Sequence, residues 1–142
     1  MKKIVITGPH CCGKSTVIRK IEEDIGNNNI KFIQFSGKDS PVDYSSSQKL
    51  KDNIKSEIDI TYYMICKLLE REVDIEYNDG NLAVLDRCLI DQLVYPSVLL
   101  DEKYLNDIFG YIRLWLEFHP YTHVFYVPKN YELLEKYGTK DK

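Results

Sequence analysis

Gly8-Pro9-His10-Cys11-Cys12-Gly13-Lys14-Ser15 fits the pattern G-x-x-x-x-G-K-[S/T], and it stands between a short apolar run and an amphipathic stretch. No other feature constrains the fold as much, because the pattern cradles phosphate only where a strand enters it and a helix leaves it. Lys3-Ile4-Val5-Ile6-Thr7 is β-rich and too short for a helix, which predicts a strand buried on both faces at the centre of a parallel sheet. After Lys14, the residues Val17, Ile18, Ile21 and Ile25 predict a helix with one apolar stripe, stopped at Gly26 and the asparagines that follow.

The residue types suit an anion. Gly8 and Gly13 admit backbone angles closed to other residues, so the loop can turn its N–H groups inward onto a β-phosphate. The helix N-terminus then faces the phosphates. Lys14 reaches the β- and γ-phosphates, Ser15 offers its hydroxyl to Mg²⁺, and Thr16 contacts the α-phosphate. Pro9, His10, Cys11 and Cys12 fill the variable positions of the cradle. The expected ligands are ATP and Mg²⁺. The alternative is a Gly-rich turn whose Lys14 and Ser15 are only solvated residues at a helix start.

With 142 residues the chain is expected to form one domain over residues 1–142, large enough to bury a core without staples. A net charge of −3, with acids and bases interspersed, does not supply the basic field of backbone-driven nucleic-acid binding and disfavours such a partner. The apolar runs are shorter than a membrane span, and Met1-Lys2-Lys3 leads into a strand instead of a signal-peptide core. A cytoplasmic protein without a membrane partner is the expectation. Cys11, Cys12, Cys66 and Cys88 include no C-x-x-C pair, so zinc-ligand spacing is lacking. Cys11 and Cys12 are either redox-sensitive thiols beside a helix N-terminus or small residues filling a loop. His119 and His123, on either side of Pro120, read as structural.

Further along, Lys31–Phe35 reads as a second strand and Ser36–Ser47 as a loop at its C-terminal end, where open α/β sheets bind ligands. From about Gln48 to Ile75, apolar residues recur at spacings of three and four, indicating one long helix or two abutting ones. Leu82-Ala83-Val84-Leu85-Asp86 is a buried strand ending in an acid. Such an Asp either caps the following turn or presents a carboxylate to Mg²⁺, and the phosphate loop favours the second role. Leu89–Leu100 is apolar, with Pro96 kinking or ending a short helix. Tyr104, Leu105, Ile108, Ile112, Trp115 and Leu116 mark an amphipathic helix closed by Pro120, and Thr122–Val127 a fourth strand stopped by Pro128. The β-α-β-α-β-α-β order implies a parallel sheet with right-handed crossovers.

Gly8–Ser15, Asp86-Arg87 and the later Asp91-Gln92-Leu93-Val94-Tyr95 together resemble the small P-loop kinases: thymidylate kinases, deoxynucleoside kinases and phage-type AAA-ATPase-like predicted kinases. The resemblance runs to Val127. It implies an α/β, three-layer P-loop NTPase fold with a mostly parallel sheet of about four strands, in which the family's last strand and helix are not recognisable. It implies that Arg87 contacts the acceptor or the transferring phosphoryl group, a role suited to a planar guanidinium. Asp39, beside Lys38 after the second strand, inherits the place of a base or acceptor-binding acid. Residues 129–142, with Lys129, Lys136 and Lys140, stand where the family begins its lid, without the family's Arg-rich lid pattern. The resemblance also implies a homodimer through the long helices.

The first functional expectation is ATP- and Mg²⁺-dependent phosphoryl transfer to a small acceptor, a nucleoside or nucleoside monophosphate, with Tyr62, Tyr63 and Arg71 as candidates to line a base pocket, the alternative for the tyrosines being core or surface packing. The second is a shortened nucleotide-binding protein that acts as a sensor or sink. A GTPase switch fits less well, because Val127-Pro128-Lys129-Asn130 stands where a guanine-reading Asn/Thr-Lys-x-Asp motif would be.

Overall fold

Ile4-Val5-Ile6 and Ala83-Val84-Leu85 are apolar at consecutive positions because both faces of the sheet they build are covered. The computed structural model describes residues 2–9, 12–26, 30–33, 40–41, 53–77, 80–129, 132 and 135. Asp39, His10, Cys11, Lys136 and Lys140 lie outside the described residues, as do the beginning of the expected long helix and residues 34–35 of the second strand. The elements are β1 (Lys2–Thr7), α1 (Lys14–Ile25), β2 (Ile30–Ile33), α2 (Ile54–Tyr77), β3 (Leu82–Asp86), a 3₁₀ turn (Leu89–Leu93), α3 (Val94–Leu99), α4 (Glu102–Phe118) and β4 (His123–Tyr126). They fall into two compact units, one comprising Met1–Phe35, Val73–Cys88 and Tyr121–Lys140, the other Ser36–Glu72, Leu89–Pro120 and Asp141–Lys142.

The first unit holds a four-stranded sheet of order β2-β3-β1-β4. Its pairings are all parallel, with Ile4 opposite Val84 and His123, and Ile33 opposite Leu85. Successive residues of β1 serve opposite faces. Val5 packs with Ala83, Leu85, Cys88 and Ile75 from the end of α2, while Ile6 packs with Val84 and Ile18 from α1. Lys3 faces the Val5 side and is 1% exposed; its stem is buried while Nζ lies 3.7 Å from Glu76 and 5.4 Å from the centre of the Tyr121 ring. The stripe of α1 is narrower than its sequence suggests, since Ile18 is buried but Val17 and Ile25 are exposed. β4, at one edge of the sheet, is exposed at all four positions.

In the second unit, α2 presents Glu57, Ile60, Thr61, Ile65, Leu68 and Glu72 on one buried face, a spacing of three and four residues. α2 is one continuous helix within the described residues. Pro96 does not end a helix. It occupies the first turn of α3, where a missing N–H removes no intrahelical bond, and its carbonyl accepts from Leu100 N at 2.9 Å. α4 buries Ile108 and Ile112. Trp115 is half-buried; its Nε1 donates to Glu72 Oε2 at 2.8 Å and its ring stacks on His119 at 4.1 Å between centroids. Phe118 ends the helix and the next N–H, of His119, still bonds Trp115 O at 2.9 Å.

Burial pushes the Glu57 carboxyl above its ordinary value of 4.5, against the lowering effect of a hydrogen bond from Thr61. A raised folded-state pKa means that the folded state holds this proton more tightly than the unfolded chain does. Stability from this group is therefore full below pH 4.5 and is lost as pH rises through the folded value. Glu57→Gln removes the titration. Urea unfolding across pH 4 to 8 should show the variant gaining on wild type as pH rises, and a pH-independent difference would contradict this account.

Candidate functional site

The C-terminal ends of β1, β3 and β4 lie side by side, and the segments leaving them meet. Parallel pairing sets Ile6 opposite both Asp86 and Phe125, and Thr7 opposite Tyr126. The ladder continues beyond the strands: Arg87 N donates to Ile6 O at 3.0 Å and Val127 N to Thr7 O at 2.8 Å. Asp86-Arg87 and Val127 thereby flank the residue that opens the phosphate-loop pattern.

Gly8 follows, at φ 150°. A Cβ there would overlap the carbonyl oxygen of Val127 and come within 3.1 Å of Cys12 Sγ, so the close approach of two backbone segments demands glycine. Gly13, at φ 94°, turns the chain into α1, whose first intrahelical bond runs from Val17 N to Gly13 O at 3.0 Å. The first turn of α1 has no acidic residue and no side-chain cap, so its positive end is not offset locally. Ser15 and Thr16 are exposed there.

Lys14 is 7% exposed, and its ammonium is held inside the loop. Nζ donates to Gly8 O at 2.9 Å and Pro9 O at 2.6 Å, with Cys12 Sγ at 3.7 Å. Two carbonyl dipoles offset the burial of this charge. Cys12 is buried within the loop.

Asp86 is 9% exposed at the end of β3, and Arg87 beside it is half-buried with φ 66°. Arg87 is the one non-glycine residue with positive φ among the described residues, a strained conformation pinned by its bond to Ile6. Neither that strain nor the packing of Val127 over Gly8 was visible in the residue pattern, since both depend on strand neighbours distant in sequence. The structure thus brings Gly8, Pro9, Cys12, Gly13, Lys14, Asp86 and Arg87 into one unit, with Ser15 and Thr16 on the helix that leaves the loop. Tyr62, Tyr63, Arg71 and Asp91 belong to the second unit.

Among the described residues no cluster of three or more His, Cys, Asp or Glu could hold a metal alone. A nucleotide-bound Mg²⁺ takes only one or two protein oxygens and fills its remaining positions with phosphate and water. The Ser15 hydroxyl and the Asp86 carboxylate are oxygen donors of the type such an ion would take.

A family model described as an AAA domain matches residues 3–141. No match to a curated protein is found. Among solved structures, deoxyadenosine kinase from M. mycoides with bound dATP superposes with a TM-score of 0.69 at 17% identity, over 98% of this chain and 73% of that one. The same enzyme with the products dCMP and dCDP gives a TM-score of 0.65 at 17% identity, over 98% and 72%. The chain has the α/β P-loop fold of that kinase, with a parallel four-stranded sheet among the described residues. Among those residues no helix is long and apolar enough to cross a membrane.

Two glycines with positive φ separate backbone strain from close contact. A Cβ on Gly26, at φ 72° and ψ −169°, would meet nothing within 4 Å, so Gly26→Ala should cost about 1–3 kcal/mol from the backbone conformation alone. Gly8→Ala should cost clearly more, because the β4 exit has to move. Equal losses in urea unfolding would refute the packing of Val127 on Gly8.

Proposed function

The chain belongs to the AAA domain family, and on that premise we propose that it transfers a phosphoryl group from ATP·Mg²⁺ to a small acceptor, a nucleoside or nucleoside monophosphate. The observation that carries this reading is the placement of Asp86-Arg87 in register with the strand that enters the phosphate loop. A binding cradle alone needs only the loop. An acid and a guanidinium at the adjacent strand end add what phosphoryl transfer requires, which is positioning and charge stabilisation. The fold shared with deoxyadenosine kinase supports a nucleoside-type acceptor.

In this reading the loop N–H groups and the N-terminus of α1 bind the β-phosphate. Lys14 turns its ammonium from the loop carbonyls to the β- and γ-phosphate oxygens. Ser15 and Asp86 would hold Mg²⁺, which when bound neutralises charge on the phosphate oxygens. Thr16 binds the α-phosphate. Arg87 grips the transferring group with a planar fork that stays protonated, and its strained backbone restricts where the fork can point. Asp39 completes the proposal as base or anchor for the acceptor hydroxyl. The proposed protein works in the cytoplasm, with Lys129 starting a lid.

A homodimer belongs to the same reading. On α4, Phe109, Leu114 and Phe118 are 50–71% exposed, and a groove of about 390 Å³ between α4 and the 3₁₀ turn is lined by Ile90, Leu93, Phe109 and Leu116. Arg113 and Glu117 also line it and offer opposite charges one turn apart, which a two-fold copy of the same helix would match. Sedimentation velocity should show a dimer that Phe109→Glu converts to monomer, and a wild-type monomer at tens of micromolar would remove this part of the proposal.

The activity is tested by ADP release from ATP·Mg²⁺ with a panel of nucleosides and nucleoside monophosphates. One acceptor should stimulate release, Lys14→Ala should abolish it, and Arg87→Lys should lower the rate by about 10²-fold or more while leaving ATP affinity within a few-fold. ATP binding with no acceptor-stimulated release would defeat the kinase reading and leave a nucleotide-binding module.

A further inference from the structure

Two acids on the buried face of α2 are treated differently by their surroundings. Glu72 is 0% exposed, and its Oε2 accepts from Trp115 Nε1 at 2.8 Å. Glu57 is 1% exposed; its Oε1 accepts from the Thr61 hydroxyl at 3.2 Å, whereas Oε2 meets no hydrogen-bond donor among the described residues. Both acids lie within the second unit.

An unmatched carboxyl oxygen at this depth is destabilising, and an apolar side chain of similar size would remove the cost. Helix formation does not require the acid either, because Asn53 Oδ1 already accepts from Ser56 N at 3.2 Å at the start of α2. Thr61 is 4% exposed, so the oxygens of Glu57 and Thr61 form a polar point on a helix face otherwise built from Ile60, Ile65 and Leu68. Metal chemistry is a poor fit, since a hard cation takes several oxygen ligands and no cluster of three acids, His or Cys surrounds Glu57 among the described residues.

From this contrast we infer that Glu57, oriented by Thr61, is a specificity-determining group of a ligand subsite in the second unit, where Oε2 accepts a hydrogen bond from an uncharged N–H or O–H group of the acceptor. The inference rests on the reading of the acceptor as a nucleoside-type molecule, which carries such donors on its base and on its sugar. A donor arriving at a buried oxygen leaves water together with it. An analogue that lacks the donor strands both partners, so a group in this position discriminates strongly between ligands that differ by one polar atom. That selectivity is a physical reason to keep an acid where packing favours a hydrocarbon.

The test uses calorimetry on the full chain with deoxyadenosine, its analogue lacking the exocyclic amine, and its 3′-deoxy analogue, with ATP affinity measured in parallel. Glu57→Leu should weaken deoxyadenosine binding by about tenfold to a hundredfold, leave ATP affinity unchanged and not lower the thermal midpoint. The analogue without the contacted donor should bind wild type weakly and be indifferent to Glu57→Leu, which distinguishes the base amine from the sugar hydroxyl. Glu57→Gln keeps a carbonyl acceptor and should retain part of the affinity, and with Thr61→Val it carries the comparison if the leucine variant fails to fold. Wild-type binding of a nucleoside with equal affinity in Glu57→Leu would overturn the inference while sparing the kinase reading. Binding of ATP but of no nucleoside by wild type would overturn both.

Discussion

The parallel pairing of β1 with β3 on one side and β4 on the other is the constraint on which the first unit depends. Parallel ladders put the C-terminal ends of neighbouring strands at one edge, and here that edge carries Thr7-Gly8, Asp86-Arg87 and Tyr126-Val127. Two backbone bonds beyond the strands, Arg87 N to Ile6 O and Val127 N to Thr7 O, extend the register into the loops themselves. The positions of the candidate groups are therefore set by main-chain hydrogen bonds, with side-chain packing clamping the strands from both faces. A one-residue slip of β3 would turn Leu85 out of the Val5 cluster and displace Asp86 from Ile6, so core and site specify the same register.

Conformational cost gathers at that edge. Gly8, Gly13 and Arg87 have positive φ within or beside the loop, whereas the remaining described example, Gly26, lies at the far end of α1. For the glycines the angle is cheap, but Arg87 holds it against the steric preference of its Cβ. The bond to Ile6 and the buried Asp86 just before it restrain the backbone there. Backbone strain at Arg87, of order ~1–3 kcal/mol, is intelligible in the proposed reading if the direction of its fork matters more than that cost.

Much of the first unit was legible in the sequence because its signals are local. A glycine-rich spacing between a β-rich run and an apolar stripe specifies strand, loop and helix, and Leu82–Asp86 reads as a strand ending in an acid with no knowledge of its neighbours. Widths and depths were less legible. Val17 and Ile25 continue the pattern of Ile18 and Ile21, yet stand exposed, since periodicity says which residues share a stripe and not how much of it a neighbouring sheet covers. The acids of α2 were missed for a related reason. Counting only apolar residues at helical spacing passes over Glu57, Thr61 and Glu72, although all three fall in register with Ile65, Leu68 and Ile75. A polar residue in phase with an apolar stripe was the available signal. Its partner, Trp115 for Glu72, comes from 43 residues away and needed the fold.

In the proposed reading, Lys14 serves both the loop and its ligand. An ammonium at 7% exposure cannot be left bare, and the carbonyls of Gly8 and Pro9 supply neutral acceptors at 2.9 and 2.6 Å. An ammonium is attracted more strongly to ionised phosphate oxygens than to neutral carbonyls, so in the proposed reading a triphosphate would outcompete those carbonyls for Nζ. A neutral ligand of the same shape would not, because it offers nothing better than the bonds already present. The loop carbonyls therefore act as a threshold. They keep the charge buried and directed, and in the proposed reading they yield it only to a group of opposite charge.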